Sequence, residues 1–333
     1  MGSIRYLTDH YDEKIARINE LNAPLNFVFF TDAHNRLNHG GTQRDPDSTA
    51  PCELAKNHIA SIQYILDRCP GICCVVNGGD IGNDYDPDPK AIRESYREVM
   101  DAFYALSVPV HCCIGNHDDA ITISTLRGDK NTDYAVLPEE MHDICMKYNP
   151  TDRNYYYWDV PGADYRLVFM NSCDRPYYLD KNGEYPFDPQ LEISGPQVKW
   201  LENEALVTDR KVIVFSHAPL HNACIFGTGS SCSPVRSHDD TFNGPLAYNI
   251  IKNCKNVIAM VHGHVHHDNL VYRDGMVTIT TLCSFVQEWA PSCPKRVFGD
   301  ITETAFDVFS VTDKAIYMTR FGAGYDRAAT LLR

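Results

Sequence analysis

The stretch VPVHCCIGNHD, residues 108–118, decides the fold class because an apolar run passes directly into a polar turn. The run at 108–114 has the length and composition of a buried strand, and Gly115-Asn116-His117-Asp118 follows it without a linker. A strand has little structural reason to end in these four residue types. We therefore interpret this turn as part of a functional site.

The same pattern of an apolar strand followed by a polar turn occurs four more times. Strands at Leu25–Phe30, 72–76, 212–215 and 257–261 lead into Thr31-Asp32-Ala33-His34, Gly78-Gly79-Asp80, Ser216-His217 and His262-Gly263-His264-Val265-His266. Helical patterns occur at residues 53–68, at 90–106 and from Pro196 onward. Strands that alternate with helices predict an α/β fold with buried, mostly parallel strands. In such sheets, ligands bind beyond the carboxyl ends of the strands. We expect all five polar turns at that edge.

The other strand patterns predict a second, partly antiparallel sheet packed on the first. They lie at residues 155–158, 165–170, 270–281 and 305–321. Apolar residues at helical spacing before about Asn22 predict an amphipathic helix. We therefore divide the chain into an N-terminal helical extension, 1–23, and a single domain, 24–333. The long polar loops 35–51 and 220–245 are of a length typical of functional covers or disordered segments.

Composition excludes several classes of protein. The 333 residues include 30 Lys and Arg against 44 Asp and Glu, a formal charge of −14. Such a charge repels phosphate backbones and anionic membranes, so we expect neither a nucleic-acid polymer nor a membrane as partner. The sequence starts without the apolar run of a signal peptide. Thirteen cysteines, an odd number, are therefore interpreted as reduced thiols in a cytoplasmic protein, whose oligomeric state the sequence leaves open.

The strand ends supply carboxylate, amide and imidazole groups, which suit divalent metals. In an extended segment, residues two apart share a face, so Asp32 with His34 and His264 with His266 are each expected to point to one place. Each motif alone is weak evidence for a metal site. In a strand-end Asp-x-His, for example, the aspartate is often a capping residue and the histidine often lies at the surface. Together they provide seven candidate ligands: Asp32, His34, Asp80, Asn116, His217, His264 and His266. Seven ligands with one shared carboxylate predict two metal ions, each with four protein ligands.

The order Asp-x-His, Gly-Asp, Gly-Asn-His-Asp, His and Gly-His-x-His resembles the signature of the calcineurin-like metallophosphoesterase superfamily. The resemblance extends from about residue 24 to the C-terminal strands and includes Gln197-x-x-Trp200-Leu201 and Gly322-Ala323-Gly324. It implies a four-layer α/β/β/α sandwich of two mixed β-sheets flanked by helices, with a dinuclear site at the carboxyl edge of the strands. One ion would bind Asp32, His34, Asp80 and His266, and the other Asp80, Asn116, His217 and His264. The ions would be divalent or mixed-valence manganese, iron or zinc.

The resemblance also implies a mechanism. A hydroxide between the two ions would attack phosphorus, and His117, which the family does not use as a ligand, would act as general acid. Asp118 is expected either to hold the His117 imidazole or to be a simple turn carboxylate. Three loop residues are candidates for substrate contacts: Arg36, His39 and His221.

Departures from known subfamilies narrow the substrate. Protein phosphatases of this superfamily have Asp-Arg-Gly in the second motif and Gly-Asn-His-Glu in the third. This chain has Asp80-Ile81-Gly82 in the second motif and ends the third motif in Asp118, which disfavours a protein phosphatase. Nucleases share most motifs, but the negative charge disfavours DNA binding. What remains resembles the bacterial cyclic-nucleotide phosphodiesterase-like branch, which implies a small phosphodiester or phosphomonoester substrate. The alternative is a non-catalytic scaffold on the same fold, although every ligand position is filled.

Overall fold

The computed structural model describes residues 8–34, 52–82, 84, 86–186, 191–220, 243–284, 294–297 and 301–333. Within them the strands are β1 (Leu25–Phe30), β2 (Ile72–Asn77), β3 (Val110–Cys112), β4 (Tyr156–Asp159), β5 (Tyr165–Phe169), β6 (Lys211–Phe215), β7 (Val257–His262), β8 (Asn269–Arg273), β9 (Met276–Thr280), β10 (Ala305–Val311), β11 (Ala315–Gly322) and β12 (Arg327–Thr330). The helices are α1 (Thr8–Leu21), α2 (Cys52–Leu66), α3 (Pro89–Tyr104), α4 (Ile121–Arg127), α5 (Asn131–Tyr134), α6 (Pro138–Cys145), α7 (Gly195–Trp200) and α8 (Gly244–Asn253). A π-helical turn (Leu201–Ala205) follows α7, and a 3-10 turn (Ile301–Glu303) precedes β10.

The strands form two mixed sheets. The first has the order β12-β11-β10-β1-β2-β3, and the second has the order β4-β5-β6-β7-β9-β8. Strands β1 to β3 are parallel, as are β5, β6, β7 and β9. The remaining pairs are antiparallel: β1 with β10, β10 with β11 and β11 with β12 in the first sheet, and β4 with β5 and β8 with β9 in the second.

Phenylalanine side chains fill the space between the sheets. Phe27 and Phe29 of β1 lie with their ring centroids 5.5 and 6.0 Å from that of Phe215 on β6. Phe169 of β5 stacks on Phe215 at 5.3 Å. Burial of each such ring stabilises the fold by about 1.5–3 kcal/mol relative to an exposed one. This core holds the carboxyl end of β1 beside that of β6.

Helices cover the outer face of each sheet. Alternate residues of β6, Val212 and Val214, pack in a separate apolar cluster with residues of α7 and α8. On the first sheet, the ring of Phe30 contacts that of Phe103 on α3, with centroids 5.1 Å apart. The predicted four-layer sandwich of two mixed sheets is therefore confirmed.

The N-terminal helix is part of the outer layer on the first sheet. Tyr11 of α1 is buried and meets Phe321 of β11 edge-on, with ring centroids 4.9 Å apart. The predicted helix is thus present, whereas the division into an extension (1–23) and a domain (24–333) stays a prediction. No helix in the described part of the chain is long and apolar enough to cross a membrane.

The grouping of strands differs from the sequence prediction. All five predicted strand and turn units are present, but β1, β2 and β3 lie in the first sheet, and β6 and β7 lie in the second. The hairpin at 305–321, assigned by sequence to the second sheet, instead pairs with β1 in the first. Because the two sheets pack face to face, the turns from both reach one common site.

Candidate metal centre

Four buried side chains form one cluster at the carboxyl ends of β1, β2 and β7. Asp32, His34, Asp80 and His266 each offer a ligand atom, and these atoms all lie within 4.8 Å of one another. His266 Nε2 lies 3.1 Å from Asp32 Oδ1, and His34 Nε2 lies 3.6 Å from Asp80 Oδ2. Two carboxylates and two imidazoles at this separation are a donor set that suits a divalent cation.

A second cluster shares Asp80 with the first. His217 Nε2 lies 3.1 Å from Asp80 Oδ2 and 3.1 Å from Asn116 Oδ1. His264 Nδ1 lies 2.9 Å from the same oxygen of Asn116. The structure therefore brings together all seven side chains that the sequence predicts as ligands, in two overlapping sets.

The backbone at the site is left-handed rather than extended. The φ angles are +52° at Asp32, +44° at His34, +53° at Asp80, +65° at His264 and +52° at His266. Such angles are uncommon for residues other than glycine, and they concentrate at functional sites. The expectation that Asp32 and His34 share a face of an extended segment is therefore wrong in conformation, although both side chains reach the same cluster.

Hydrogen bonds across the site hold these turns in place. The backbone N–H of Asp32 donates to Gly79 O at 2.9 Å, and that of His34 donates to Asp80 O at 3.0 Å. Thr31 Oγ1 donates to Asp32 Oδ2 at 2.6 Å. The first turn is thus fixed to the second, and the Asp32 carboxylate is oriented by its neighbour. No sequence pattern around Thr31 predicts that its hydroxyl orients the Asp32 carboxylate.

Glycine at position 115 is required by the close approach of Asp80. A Cβ at Gly115 would lie 2.0 Å from Asp80 Oδ1 and 2.3 Å from the Asp80 backbone nitrogen. No side chain fits there unless Asp80 moves.

We expect Gly115→Ala to displace Asp80 and to weaken metal binding, with a loss of stability of about 1–3 kcal/mol from overpacking. Equilibrium metal titration and thermal unfolding measure the two effects. Gly195→Ala is the matched control, since a Cβ at Gly195 meets nothing within 4 Å. Equal metal affinity in both variants would contradict the close-approach argument.

The ionisation of three of these side chains favours cation binding, whereas at His217 the effect of burial is outweighed by the charges of Asp80 and Asp32, which raise the pKa to about 9. Burial raises the pKa of Asp32, but His266 and His217 outweigh it and hold the pKa at about 2. Burial lowers the pKa of His34 and of His264 to about 3. At neutral pH the carboxylate is therefore charged and these two imidazoles are neutral, which are the forms that bind metals.

His117 lies at the edge of the site, with 20% of its side chain exposed. Its Nδ1 is 3.0 Å from Asp84 Oδ1, and its backbone N–H donates to Asp80 Oδ1 at 2.9 Å. Burial lowers its pKa, but the charges of Asp84 and Asp80 outweigh this and raise the pKa to about 10. His117 is therefore placed to donate a proton or a hydrogen bond beside the metal ligands.

Of the two expectations for Asp118, the structure agrees with the turn carboxylate and not with a partner of the His117 imidazole. Asp118 Oδ1 accepts the backbone N–H of Ile81 at 2.8 Å, and Oδ2 accepts those of Asp80 and Gly115 at 3.0 and 2.7 Å. Its carboxylate thus joins the turns after β2 and β3, because unpaired backbone N–H groups there need an acceptor. Asp84 holds His117 instead. Its signal in the sequence is a second aspartate four residues after Asp80.

We expect Asp84→Asn to lower kcat about tenfold with unchanged metal content, because the imidazole loses the carboxylate that orients it. Removal of this charge also lowers the pKa of His117, so the alkaline limb of the pH–rate profile should move to lower pH. Asp88→Asn is the control: Asp88 caps α3 by accepting the backbone N–H of Lys90, and asparagine caps equally well. A wild-type profile for Asp84→Asn would exclude this role.

The predicted substrate contacts Arg36, His39 and His221 lie outside the described residues. They stay predictions.

The architecture and the donor set define a class of protein. A two-sheet α/β sandwich that gathers Asp, Asn and His side chains at the strand ends is typical of metal-dependent hydrolases. Within this class, the chain belongs to the calcineurin-like phosphoesterase family, whose sequence profile matches residues 25–268. The family predicted from the sequence is thereby confirmed.

Similar proteins extend the comparison. The chain is 25% identical over 233 residues to a manganese-dependent ADP-ribose/CDP-alcohol diphosphatase of Mus musculus, which covers 58% of this chain and 63% of that protein. A Bos taurus protein of the same description is 26% identical over 230 residues. The chain thus spans less than two-thirds of the length of these relatives. A dimetal phosphatase from Danio rerio has the same fold, with a TM-score of 0.61 and 16% identity over 92% of this chain and 99% of that one.

Proposed function

We propose that this chain is a dinuclear metal-dependent hydrolase of small phosphoesters. The supporting observation is the convergence of seven side chains, from five separate strand ends, into two donor sets that share Asp80. One ion would be held by Asp32, His34, Asp80 and His266, and the other by Asp80, Asn116, His217 and His264.

The donor set fits manganese, iron or zinc, since these ions accept oxygen and imidazole ligands together. When bound, two such ions polarise a phosphoryl group and lower the pKa of water. The hydrogen bond of His217 Nδ1 to Gly78 O, at 2.9 Å, directs Nε2 of the same ring toward Asp80. His34 and His264, whose pKa burial lowers to about 3, are neutral at physiological pH, the form in which an imidazole would bind an ion.

His117 acts on the leaving group. Its protonated imidazole, oriented by Asp84, donates to the oxygen that develops negative charge as the bond to phosphorus breaks. Asp118 fixes the relative position of the turns that carry Asp80 and Asn116.

The proposed substrates are small and contain a phosphodiester or diphosphate linkage. The formal charge of −14 disfavours a long polyanion held by the protein surface, whereas metal ions provide local positive charge for one or two phosphates. The relatives are named for ADP-ribose and CDP-alcohols, which are nucleoside diphosphates linked to a second alcohol or sugar. Cyclic nucleotides, implied by the bacterial phosphodiesterase-like branch, are the second candidate class.

Hydrolysis assays with added Mn²⁺ test this proposal. We expect turnover of bis(p-nitrophenyl) phosphate or p-nitrophenyl phosphate, and loss of that turnover after treatment with a chelator. ADP-ribose, a CDP-alcohol and a cyclic nucleotide then distinguish the substrate classes by their kcat/KM values. Binding of Mn²⁺ without turnover of any of the five compounds would favour a non-catalytic scaffold.

A further inference from the structure

Two arginines and two aspartates form an ion cluster at the end of the loop that carries His264 and His266; Arg320 and Asp307 are buried, whereas the side chains of Arg327 and Asp268 are 12% and 22% exposed. Arg320 of β11 is 1% exposed and forms a forked pair with Asp307 of β10, with Nε–Oδ1 at 2.9 Å and Nη2–Oδ2 at 2.8 Å. Arg320 Nη2 also lies 2.8 Å from Asp268 Oδ1. Arg327 contacts the same two aspartates, Asp268 at 2.8 Å and Asp307 at 2.6 Å.

Asp268 connects this cluster to the metal centre because it stands two residues after His266. Residues 263–268 lie between β7 and β8 without a strand partner, and His264 and His266 have positive φ angles. Besides the two arginines, Asp268 Oδ1 accepts the backbone N–H of Leu282 at 3.2 Å, and His267 O accepts Thr280 Oγ1 at 2.7 Å. A loop in a strained conformation persists only where its surroundings fix it.

The cluster also explains the last two residues of the Gly322-Ala323-Gly324 stretch. Ala323 O accepts Arg320 Nη1 at 2.9 Å. A Cβ at Gly324 would lie 2.7 Å from the same nitrogen and 3.3 Å from Asp268 Oδ2. The glycine therefore leaves room for the guanidinium that contacts Asp268.

We propose that Asp268 is a positioning residue for His264 and His266, and that Arg320 and Arg327 fix it to the first sheet. The two sheets supply different ligands: β1 to β3 carry Asp32, Asp80 and Asn116, whereas β7 carries the two histidines. The ion cluster joins the C-terminal strands of the first sheet to the loop of the second. It thereby sets the position of the histidines relative to the carboxylates. This inference rests on the proposed metal centre.

Asp268→Asn tests the inference while keeping the side chain nearly unchanged in shape. We expect the variant to bind Mn²⁺ about tenfold more weakly, as is usual when a group that orients metal ligands is lost. The free Mn²⁺ concentration, measured by electron paramagnetic resonance, reports this without any turnover. Activity should return toward the wild-type kcat when Mn²⁺ is raised about tenfold, a recovery that general damage to the fold does not allow.

Asp326→Asn is the matched control. Asp326 Oδ1 accepts the backbone N–H of Arg320 at 2.9 Å and pairs with Lys14 at 2.7 Å, so it is bonded to the same arginine but not to the ligand loop. Its variant should keep the wild-type affinity for Mn²⁺. If Asp268→Asn does not fold, Arg327→Lys replaces one of the two guanidinium groups that contact Asp268 Oδ1, and we expect about a threefold loss of affinity.

The outcomes separate this inference from the proposed function. Failure of the wild-type protein to bind Mn²⁺ or hydrolyse any substrate would overturn both. Wild-type Mn²⁺ binding with unchanged affinity in Asp268→Asn, or in Arg327→Lys where that variant is used, would overturn the positioning role alone. An equal loss in Asp326→Asn would also overturn it, because the effect would then not depend on the ligand loop.

Discussion

Alanine in place of Asp80 is expected to abolish binding of both metal ions and to lower kcat/KM by about three orders of magnitude or more. Asp80 is the residue common to the two donor sets, with Oδ2 3.6 Å from His34 Nε2 and 3.1 Å from His217 Nε2. Metal ions supply several kcal/mol of transition-state stabilisation, and each 1.4 kcal/mol or so corresponds to a tenfold change in rate. Metal content per chain after incubation with Mn²⁺, and kcat/KM, measure the two losses.

The same variant affects His117, since Asp80 Oδ1 accepts its backbone N–H. Metal content distinguishes the two effects, because a change confined to His117 would leave both ions bound. Asp313→Ala is the control: Asp313 is 85% exposed and pairs with Lys211 at the surface. One remaining ion per chain would show that the two donor sets bind independently, contrary to the bridging role of Asp80.

The strand and turn units could be predicted from sequence because each combines two local signals. A run such as 212–215 is apolar throughout, and the turn after it contains residues that cannot continue a buried strand. In the structure β6 extends from Lys211 to Phe215, and His217 follows at the site. The convergence of these side chains could likewise be predicted, since the ends of parallel strands meet at one edge of a sheet.

The partition of strands into sheets could not be predicted from these local signals. Pairing of β1 with β10 places Phe27 opposite Phe309, residues separated by most of the chain. Nothing in the sequence near either strand specifies that partner; the choice depends on the packing of both sheets. The same holds for the left-handed conformation at Asp32 and Asp80, which is imposed by hydrogen bonds between turns.

The roles of Asp84 and Asp118 show a further limit of sequence reasoning. Both aspartates lie within four residues of a proposed ligand, and both are fully buried. Asp118 faces three backbone N–H groups, whereas Asp84 faces an imidazole. The sequence leaves open whether Asp118 holds the His117 imidazole or is a turn carboxylate. Only the path of the turn after β2 places Asp84 beside that imidazole.

The last prediction concerns the leaving group. We expect His117→Ala to keep both metal ions and to lower kcat by about 10²- to 10⁴-fold for substrates that release an alkoxide or a phosphate ester. The same variant should change the hydrolysis of p-nitrophenyl esters far less, since p-nitrophenolate leaves without protonation. Both ions should be kept because the His117 side chain is bonded to Asp84 and is not among the seven proposed ligands. Paired kcat values for the two kinds of substrate measure the difference.

His142→Ala is the matched control for that experiment. His142 of α6 is half-buried and hydrogen-bonds Thr151 O at 2.9 Å, so it tests the loss of a histidine elsewhere in the fold. An equal loss of rate for both kinds of leaving group would assign His117 to binding of the phosphoryl group rather than to proton donation. We also expect Asp84→Asn to lower kcat mainly for substrates with poor leaving groups, as His117→Ala does, but by a smaller factor. The reason is that the carboxylate acts only through the imidazole that it orients.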